Sequence, residues 1–310
     1  MDSSIDSKVT VAGVIGTGLM GVGIATQCAL HGLRTIVHDV DAARLASVAA
    51  KARAVLDELI DAGRIDAAAR EAALARIETS AQLDVMAQAQ FVFEAVPEVL
   101  DLKHRLYAQL DAVLAPDAIL ASNTSGFEPE RLAHALRAPE RFVIAHFWNP
   151  PHMIPLVEVV PGSATAPAVT ARTEALMREI GMEPVVLAKA IPGFVGNRLQ
   201  FAVLREALNI VRSGAASPEV VDRVMKASLG RRWSIVGPLE SADMGGLDTF
   251  VDISSHLMPE LAKDEDVIDL LREQVNAGRV GVRTGAGFYE WDEAHLAQVK
   301  AARRKLIAGG

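Results

Sequence analysis

His146 and Glu158 lie twelve residues apart, each in a run rich in β-branched and aromatic residues, Phe142 to Phe147 and Ile154 to Val160. The connection between the runs, Trp148-Asn149-Pro150-Pro151, is a rigid bend because each proline fixes its own φ. Such a bend can bring the two strand positions together. Removing hydride from an alcohol requires a base for the hydroxyl proton, and imidazole, with an unperturbed pKa of about 6.5, suits that task. A carboxylate on the far ring nitrogen would fix the tautomer and stabilise the imidazolium that forms. Taken alone, a strand-end histidine with a glutamate twelve residues on reads more readily as a structural residue. His152, inside the bend, is the nearest competitor for the base.

A second constellation points to the oxidant. Gly16-Thr17-Gly18-Leu19-Met20-Gly21 fits the spacing G-x-G-x-x-G. In that spacing the first glycine permits the turn out of a strand, and the second lets backbone approach a pyrophosphate. The third lets the following helix pack on the sheet, and the phosphates sit at that helix's N-terminus. The motif is weak by itself, but here a strand-like run precedes it, a helical pattern follows, and Asp39 closes the next strand-like run. Asp39 is 18 residues beyond Gly21, in the window for an acid that hydrogen-bonds the adenosine ribose. Its charge would repel a 2′-phosphate, which favours NAD over NADP. The bland alternative is a glycine turn in an α/β domain that binds nothing.

The elements that must position these groups are legible from periodicity. Val9 to Ile15, Arg34 to Asp39, Ala89 to Ala95, Ala118 to Ser122, Phe142 to Phe147, Ile154 to Val160 and Glu183 to Leu187 read as strands. Helical patterns fall between them, with two helices expected from Asp41 to Ile77 and one each from Leu102 to Leu114 and Ala166 to Ile180. After Ala190 the pattern is helical without a convincing strand. Strands alternating with helices, followed by helices alone, imply an α/β class chain. The expected division is an open, mostly parallel sheet domain over 1–190 and an all-α C-terminal domain over 191–310.

Composition limits the partners. The 310 residues hold 31 basic and 39 acidic side chains, a formal charge of −8, which argues against nucleic acid. The single cysteine, Cys28, excludes an intramolecular disulfide and a cysteine-rich zinc site, and its apolar helical setting reads as a buried, inert thiol. No metal site is expected. No apolar run has the length of a membrane span, and the polar, acidic start is unlike a secretory signal. The expectation is a cytoplasmic protein acting on a small molecule.

Six motifs occur in order: Gly16 to Gly21, Ala95-Val96-Pro97-Glu98, Ser122-Asn123-Thr124-Ser125, His146-Phe147-Trp148-Asn149-Pro150, Gly193-Phe194-Val195-Gly196-Asn197-Arg198 and Gly285-Ala286-Gly287-Phe288-Tyr289. With them the chain resembles the L-3-hydroxyacyl-CoA dehydrogenase family from about Val9 to Trp291. The resemblance implies a Rossmann-type domain, a helical domain that forms a homodimer, and NAD-dependent interconversion of a 3-hydroxyacyl and a 3-ketoacyl group. Position by position it makes His146 the catalytic base, Glu158 its partner, and Ser125 and Asn197 the polar groups that hold the reacting oxygens. The cofactor contacts it implies are Gly16, Gly18, Leu19, Met20, Gly21, Asp39, Glu98, Lys103, Ser125, Asn149 and Arg283, with Asn149 near the nicotinamide. Lys103 as a surface helix residue and Arg283 as a loop charge are the competing readings.

Two departures bear on the substrate. The CoA-binding relatives carry a polar residue and a lysine on the helical tail after the second strand, and those positions here are Val55 and Ala62. The surrounding Asp57-Glu58-Leu59-Ile60-Asp61 is acidic, unfavourable for a 3′-phosphate, with Lys51, Arg53 and Arg64 as possible compensation. The bend Pro150 to Leu156 and the stretch Arg231 to Pro238 look more like relatives acting on small free acids, where Arg231 and Arg232 would meet a carboxylate. A solvated arginine pair at a helix end is the alternative. A short-chain acyl-CoA and a free 3-hydroxy acid both remain open as substrate, with a non-catalytic NAD-binding protein as a third reading.

Overall fold

A computed structural model describes residues 7–308. Its contacts divide the chain into two compact units, one reaching to Val195 and including the chain from Lys300 onward, the other Gly196–Val299. The division thus falls five residues past the compositional change at 190, and the end of the chain groups with the first unit.

The first unit is built on eight strands: β1 (Val11–Ile15), β2 (Arg34–His38), β3 (Ile77–Ser80), β4 (Phe91–Glu94), β5 (Ile119–Ser122), β6 (Phe142–Phe147), β7 (Leu156–Pro161) and β8 (Glu183–Val186). They form one sheet in the order β3-β2-β1-β4-β5-β6-β7-β8. All neighbours are parallel except β6 and β7, which run antiparallel. Connecting helices are α1 (Leu19–Leu30), α2 (Ala42–Ala46), α3 (Val48–Asp61), α4 (Ala67–Leu74), α5 (Leu100–Val113), α6 (Pro129–Ala133) and α7 (Pro167–Glu179).

Central strands are mostly apolar because both faces are covered, with polar residues such as Glu94, Ser122 and His146 at or near their C-terminal ends. The two-residue period of β4 sends Phe91 and Phe93 into one core with Ile24, Cys28 and Leu176. Val92 enters the other, with Tyr107, Leu110 and Phe142. The strand order reverses between β1 and β4, so the C-terminal ends of β1, β4 and β5 open together at a crevice, the usual ligand position in such sheets.

One expectation is corrected. The helical pattern does not run to Ile77: three helices occupy the stretch, and Ile77–Ser80 is an edge strand in register with Thr35 to His38. Its four residues carry no apolar run, so only pairing with β2, helped by the Arg34–Glu78 ion pair at 2.7 Å, makes them a strand.

The second unit holds α8 (Gly196–Arg212), α9 (Pro218–Ala227), α10 (Leu229–Trp233), α11 (Pro238–Gly245), α12 (Leu247–Leu257), α13 (Asp269–Asn276) and the first part of α14 (Glu293–Ala308). Its core is small, gathered around Leu208, Ala262 and Val267. Among its described residues the only β structure is the isolated bridges from Gly281 to Ala286 and from Ala286 to Glu290. No helix of the described residues is long and apolar enough to cross a membrane.

Candidate active site

β1 ends at Ile15 and α1 begins at Leu19, so the glycine motif forms the turn between them. A Cβ on Gly21 would lie 2.0 Å from the Gly16 carbonyl oxygen, so only glycine lets the helix start so close to the strand end. A Cβ on Gly18 would meet nothing within 4 Å, which leaves open space above that backbone. Gly18 is the N-cap of α1 and supplies no side-chain bond, so first-turn N–H groups remain available to an anion. Leu19 is exposed and Met20 half-buried at that mouth.

Asp39 follows β2 and is tied to the turn. Its Oδ2 accepts from the Thr17 hydroxyl at 2.6 Å and the Thr17 N–H at 3.2 Å, while Oδ1 accepts from the Asp41 N–H at 3.1 Å. Partial burial works against ionisation, but these bonds, with Arg44 nearby, outweigh it and hold the carboxyl below its ordinary value. The open backbone at Gly18, the uncapped helix start and this ionised acid fit a dinucleotide.

At the other end of the crevice, β6 and β7 pair so that His146 stands directly opposite Glu158. His146 Nδ1 lies 3.0 Å from Glu158 Oε2, with the residues 7% and 1% exposed. The bend thus makes an antiparallel hairpin that turns a sequence spacing into a contact. Glu158 also accepts from Trp148 Nε1 at 3.4 Å and from the Val195 N–H at 2.9 Å. Phe194 and Trp148 flank the imidazole, with ring centroids at 5.6 and 6.3 Å. With Glu158 accepting the Nδ1–H, the neutral ring carries its lone pair on Nε2, which has no hydrogen-bond partner among the described residues.

Between these ends lies the loop after β5. Glu98 Oε1 accepts from the Thr124 hydroxyl at 2.7 Å and the Ser125 N–H at 2.9 Å, while the Asn123 side chain accepts from the Phe147 N–H at 2.9 Å. The Ser125 position is therefore fixed both to the chain after β4 and to the end of β6. Lys103 is no surface residue. It is 1% exposed, with Nζ 2.7 and 2.9 Å from the two oxygens of Glu94 and 3.3 Å from Glu98. Glu94, fully buried, accepts also from the Tyr107 and Ser122 hydroxyls at 2.6 and 2.7 Å.

Residues 11–191 match the 3-hydroxyacyl-CoA dehydrogenase NAD-binding domain, and residues 193–291 match the C-terminal domain of the same enzymes. The chain belongs to the 3-hydroxyacyl-CoA dehydrogenase family. It is accordingly an NAD-dependent oxidoreductase of the CH–OH class. It is 36% identical over 300 residues to the 5-formyl-3-hydroxy-2-methylpyridine 4-carboxylate 5-dehydrogenase of Mesorhizobium japonicum, covering 95% of each chain. It is 36% identical over 280 residues to the 3-hydroxybutyryl-CoA dehydrogenase of Bradyrhizobium diazoefficiens, covering 90% of this chain and 94% of that one. Among solved structures, a 5-formyl-3-hydroxy-2-methylpyridine 4-carboxylic acid 5-dehydrogenase superposes with a TM-score of 0.88 at 32% identity, covering 97% of both chains.

The remaining positions expected from the family are placed as follows. Asn149 is exposed in the bend, just before Pro150. Asn197 is half-buried in the first turn of α8, and Arg283 is exposed in the short turn Val282–Thr284, both in the second unit. His152, the rival base, meets Glu58 on α3 at 3.0 Å through Nε2. Arg231 and Arg232 occupy the last turn of α10, exposed. Acids of the stretch on α3 meet partners from elsewhere: Asp57 pairs with Arg70 at 2.6 Å and Asp61 with Arg304 at 3.7 Å, while Glu58 lies 3.0 Å from His152 Nε2. The two arginine pairings offset part of the repulsion that composition alone implies. Sequence reasoning missed Glu94 and Trp148; an acid closing an otherwise apolar strand was the available signal for Glu94.

Proposed function

We propose that the protein oxidises the C3 hydroxyl of a 3-hydroxyacyl group or 3-hydroxy acid, with His146 as the base and Glu158 as its positioning partner. The observation that carries this reading is the buried His146–Glu158 pair, made through Nδ1 so that Nε2 is left unengaged among the described residues. NAD, when bound, supplies the hydride acceptor. The hydroxyl proton passes to Nε2, and the imidazolium so formed is stabilised by the Glu158 carboxylate. In the reverse direction the same imidazolium donates to the oxygen at C3. Ser125 and Asn197 serve as the polar groups for the reacting oxygens. The glycine turn, Leu19, Met20, Asp39, Glu98, Asn149 and Arg283 hold the dinucleotide, while Lys103 acts on it through Glu98.

Both substrate chemistries occur among the relatives. Near-complete coverage of the pyridine-carboxylate enzyme supports a free acid, and the B. diazoefficiens relative supports a CoA thioester, which would place the protein in fatty-acid metabolism. Exposed apolar side chains on the second unit, including Leu199, Phe201, Val220, Val224 and Phe250, support a homodimer. The lone buried thiol supports a reducing compartment, the cytoplasm.

The test is His146→Gln. The variant is expected to bind NAD as the wild type does and to lose ~10³-fold in alcohol oxidation, measured as NADH formation across a panel of 3-hydroxy acids and their CoA thioesters. A variant that keeps most of its rate would end the assignment of the base.

A further inference from the structure

Phe194 has a backbone conformation that a bulky side chain seldom takes. Its φ is +50°, directly after Gly193 at +76°. In that left-handed region the Cβ of an L-residue crowds the following carbonyl oxygen, so glycine is the usual occupant. Lys8 is the one other non-glycine residue with positive φ among the described residues, and it is exposed. Phe194 is instead 1% exposed, with its ring in the core that holds Leu120, Ile144 and Leu187.

A costly conformation persists where surrounding contacts impose it, and such residues gather at functional sites. Two contacts depend on this one. The Phe194 ring sits against the imidazole of His146, with centroids 5.6 Å apart and planes at 57°. The next residue aims its N–H at Glu158 Oε1 at 2.9 Å, while Glu158 Oε2 meets His146 Nδ1 at 3.0 Å. The turn is closed by the Phe194 N–H, which donates to the Ile191 carbonyl at 2.9 Å. An extended φ at Phe194 would swing the ring and the Val195 N–H away from the pair, so both contacts would be lost together. Trp148 holds the same pair more loosely: it is half-buried, its ring centroid is 6.3 Å from that of His146, and its Nε1 is 3.4 Å from Glu158. All of these residues belong to the first unit.

We propose that Phe194 is a positioning residue for the proton transfer. Its left-handed turn sets the ring as a stop against rotation of the imidazole and, through the Val195 N–H, fixes the carboxylate that accepts the Nδ1–H. The neutral imidazole then keeps one tautomer, with its lone pair on Nε2. The inference rests on the dehydrogenase reading and adds to it a residue that acts through His146. Because ring and backbone serve the same pair, a substitution that merely relaxes the backbone does not preserve the rate.

Two variants separate these contributions. Phe194→Leu keeps apolar bulk and loses the flat ring, whereas Phe194→Gly suits the backbone and loses the side chain. The readouts are single-turnover NADH formation across 3-hydroxy acids and their CoA thioesters, and the ring-nitrogen resonances of His146 in isotope-labelled protein, assigned by their absence in His146→Gln. The neutral wild-type ring is expected to show a protonated Nδ1 and a bare Nε2. In Phe194→Leu the resonances are expected to move toward a mixture of tautomers, with kcat lower by about 10- to 100-fold and NAD affinity unchanged. Phe194→Gly is expected to lose at least as much; should it not fold, Phe194→Leu decides alone. Wild-type resonances or wild-type kcat in a folded Phe194→Leu protein overturn the proposal, as does wild-type kcat in Phe194→Gly. So does a loss of NAD affinity in step with kcat, which would place the ring on the cofactor side. A wild type that shows the single tautomer yet oxidises no alcohol of the panel refutes the dehydrogenase reading instead.

Discussion

Replacing Glu158 with glutamine tests the positioning argument with almost no change in volume. The carboxylate accepts from His146 Nδ1 and Trp148 Nε1 on Oε2 and from the Val195 N–H on Oε1. An amide offers one accepting oxygen. With that oxygen toward His146, the amide NH₂ faces the Val195 N–H and leaves a donor unpaired, at a cost of about 1–3 kcal/mol. With the NH₂ toward His146, the ring must accept at Nδ1 and carry its proton on Nε2, where it is no base. In both orientations the imidazolium loses its counter-charge. Two unit charges with centres about 4 Å apart interact by about 4 kcal/mol at an effective dielectric near 20. At about 1.4 kcal/mol per decade this predicts a fall in kcat of roughly a thousandfold. The assay is single-turnover NADH formation at saturating alcohol, with NAD affinity and the circular dichroism spectrum as checks on binding and folding. A folded, NAD-binding Glu158→Gln protein within ~3-fold of wild-type kcat would refute the role of the carboxylate.

Other expected outcomes follow from buried groups. Cys28 is fully buried and its thiol is pushed up to about 12 by burial, against a weaker opposing backbone bond, so a disulfide-exchange reagent should modify it only after denaturation; prompt labelling of the native protein would contradict the packing of α1. The chain has two tyrosines. Burial and then Asp222 push Tyr289 up to about 12, while burial and then Glu94 drive Tyr107 well above its ordinary value. Because both are raised, their contribution to stability is complete below the unfolded value of about 10 and is lost as pH rises through the folded values. An ultraviolet titration of the native protein should therefore show no phenolate step near pH ~10, and a step there would be contrary. Lys103→Met strands the buried Glu94 carboxylate and should cost ~3–5 kcal/mol in urea denaturation of the first unit, with Glu94→Gln added in the same chain recovering more than half. Failure of the double variant to recover would mean that packing around α5, rather than charge, sets the cost.

The sequence alone determined the framework, because its signals are local. Apolar strands buried on both faces read as continuous runs, and G-x-G-x-x-G between a strand and a helix permits few backbones. It also named His146 and Glu158, since a proline bend between two short strands leaves few ways to return. Tertiary structure decided what depends on partners distant in the chain. Ile77–Ser80 became a strand only because β2 offers a free edge, a contact that no local propensity encodes. Lys103, which looks like any helix lysine, is buried because Glu94 ends the adjacent strand beneath it. The acids on α3 read as repulsive until Arg70 and Arg304 arrive from other elements to pair with Asp57 and Asp61. Charge and burial are sums over neighbours in space, and a one-dimensional pattern shows only the neighbours along the chain.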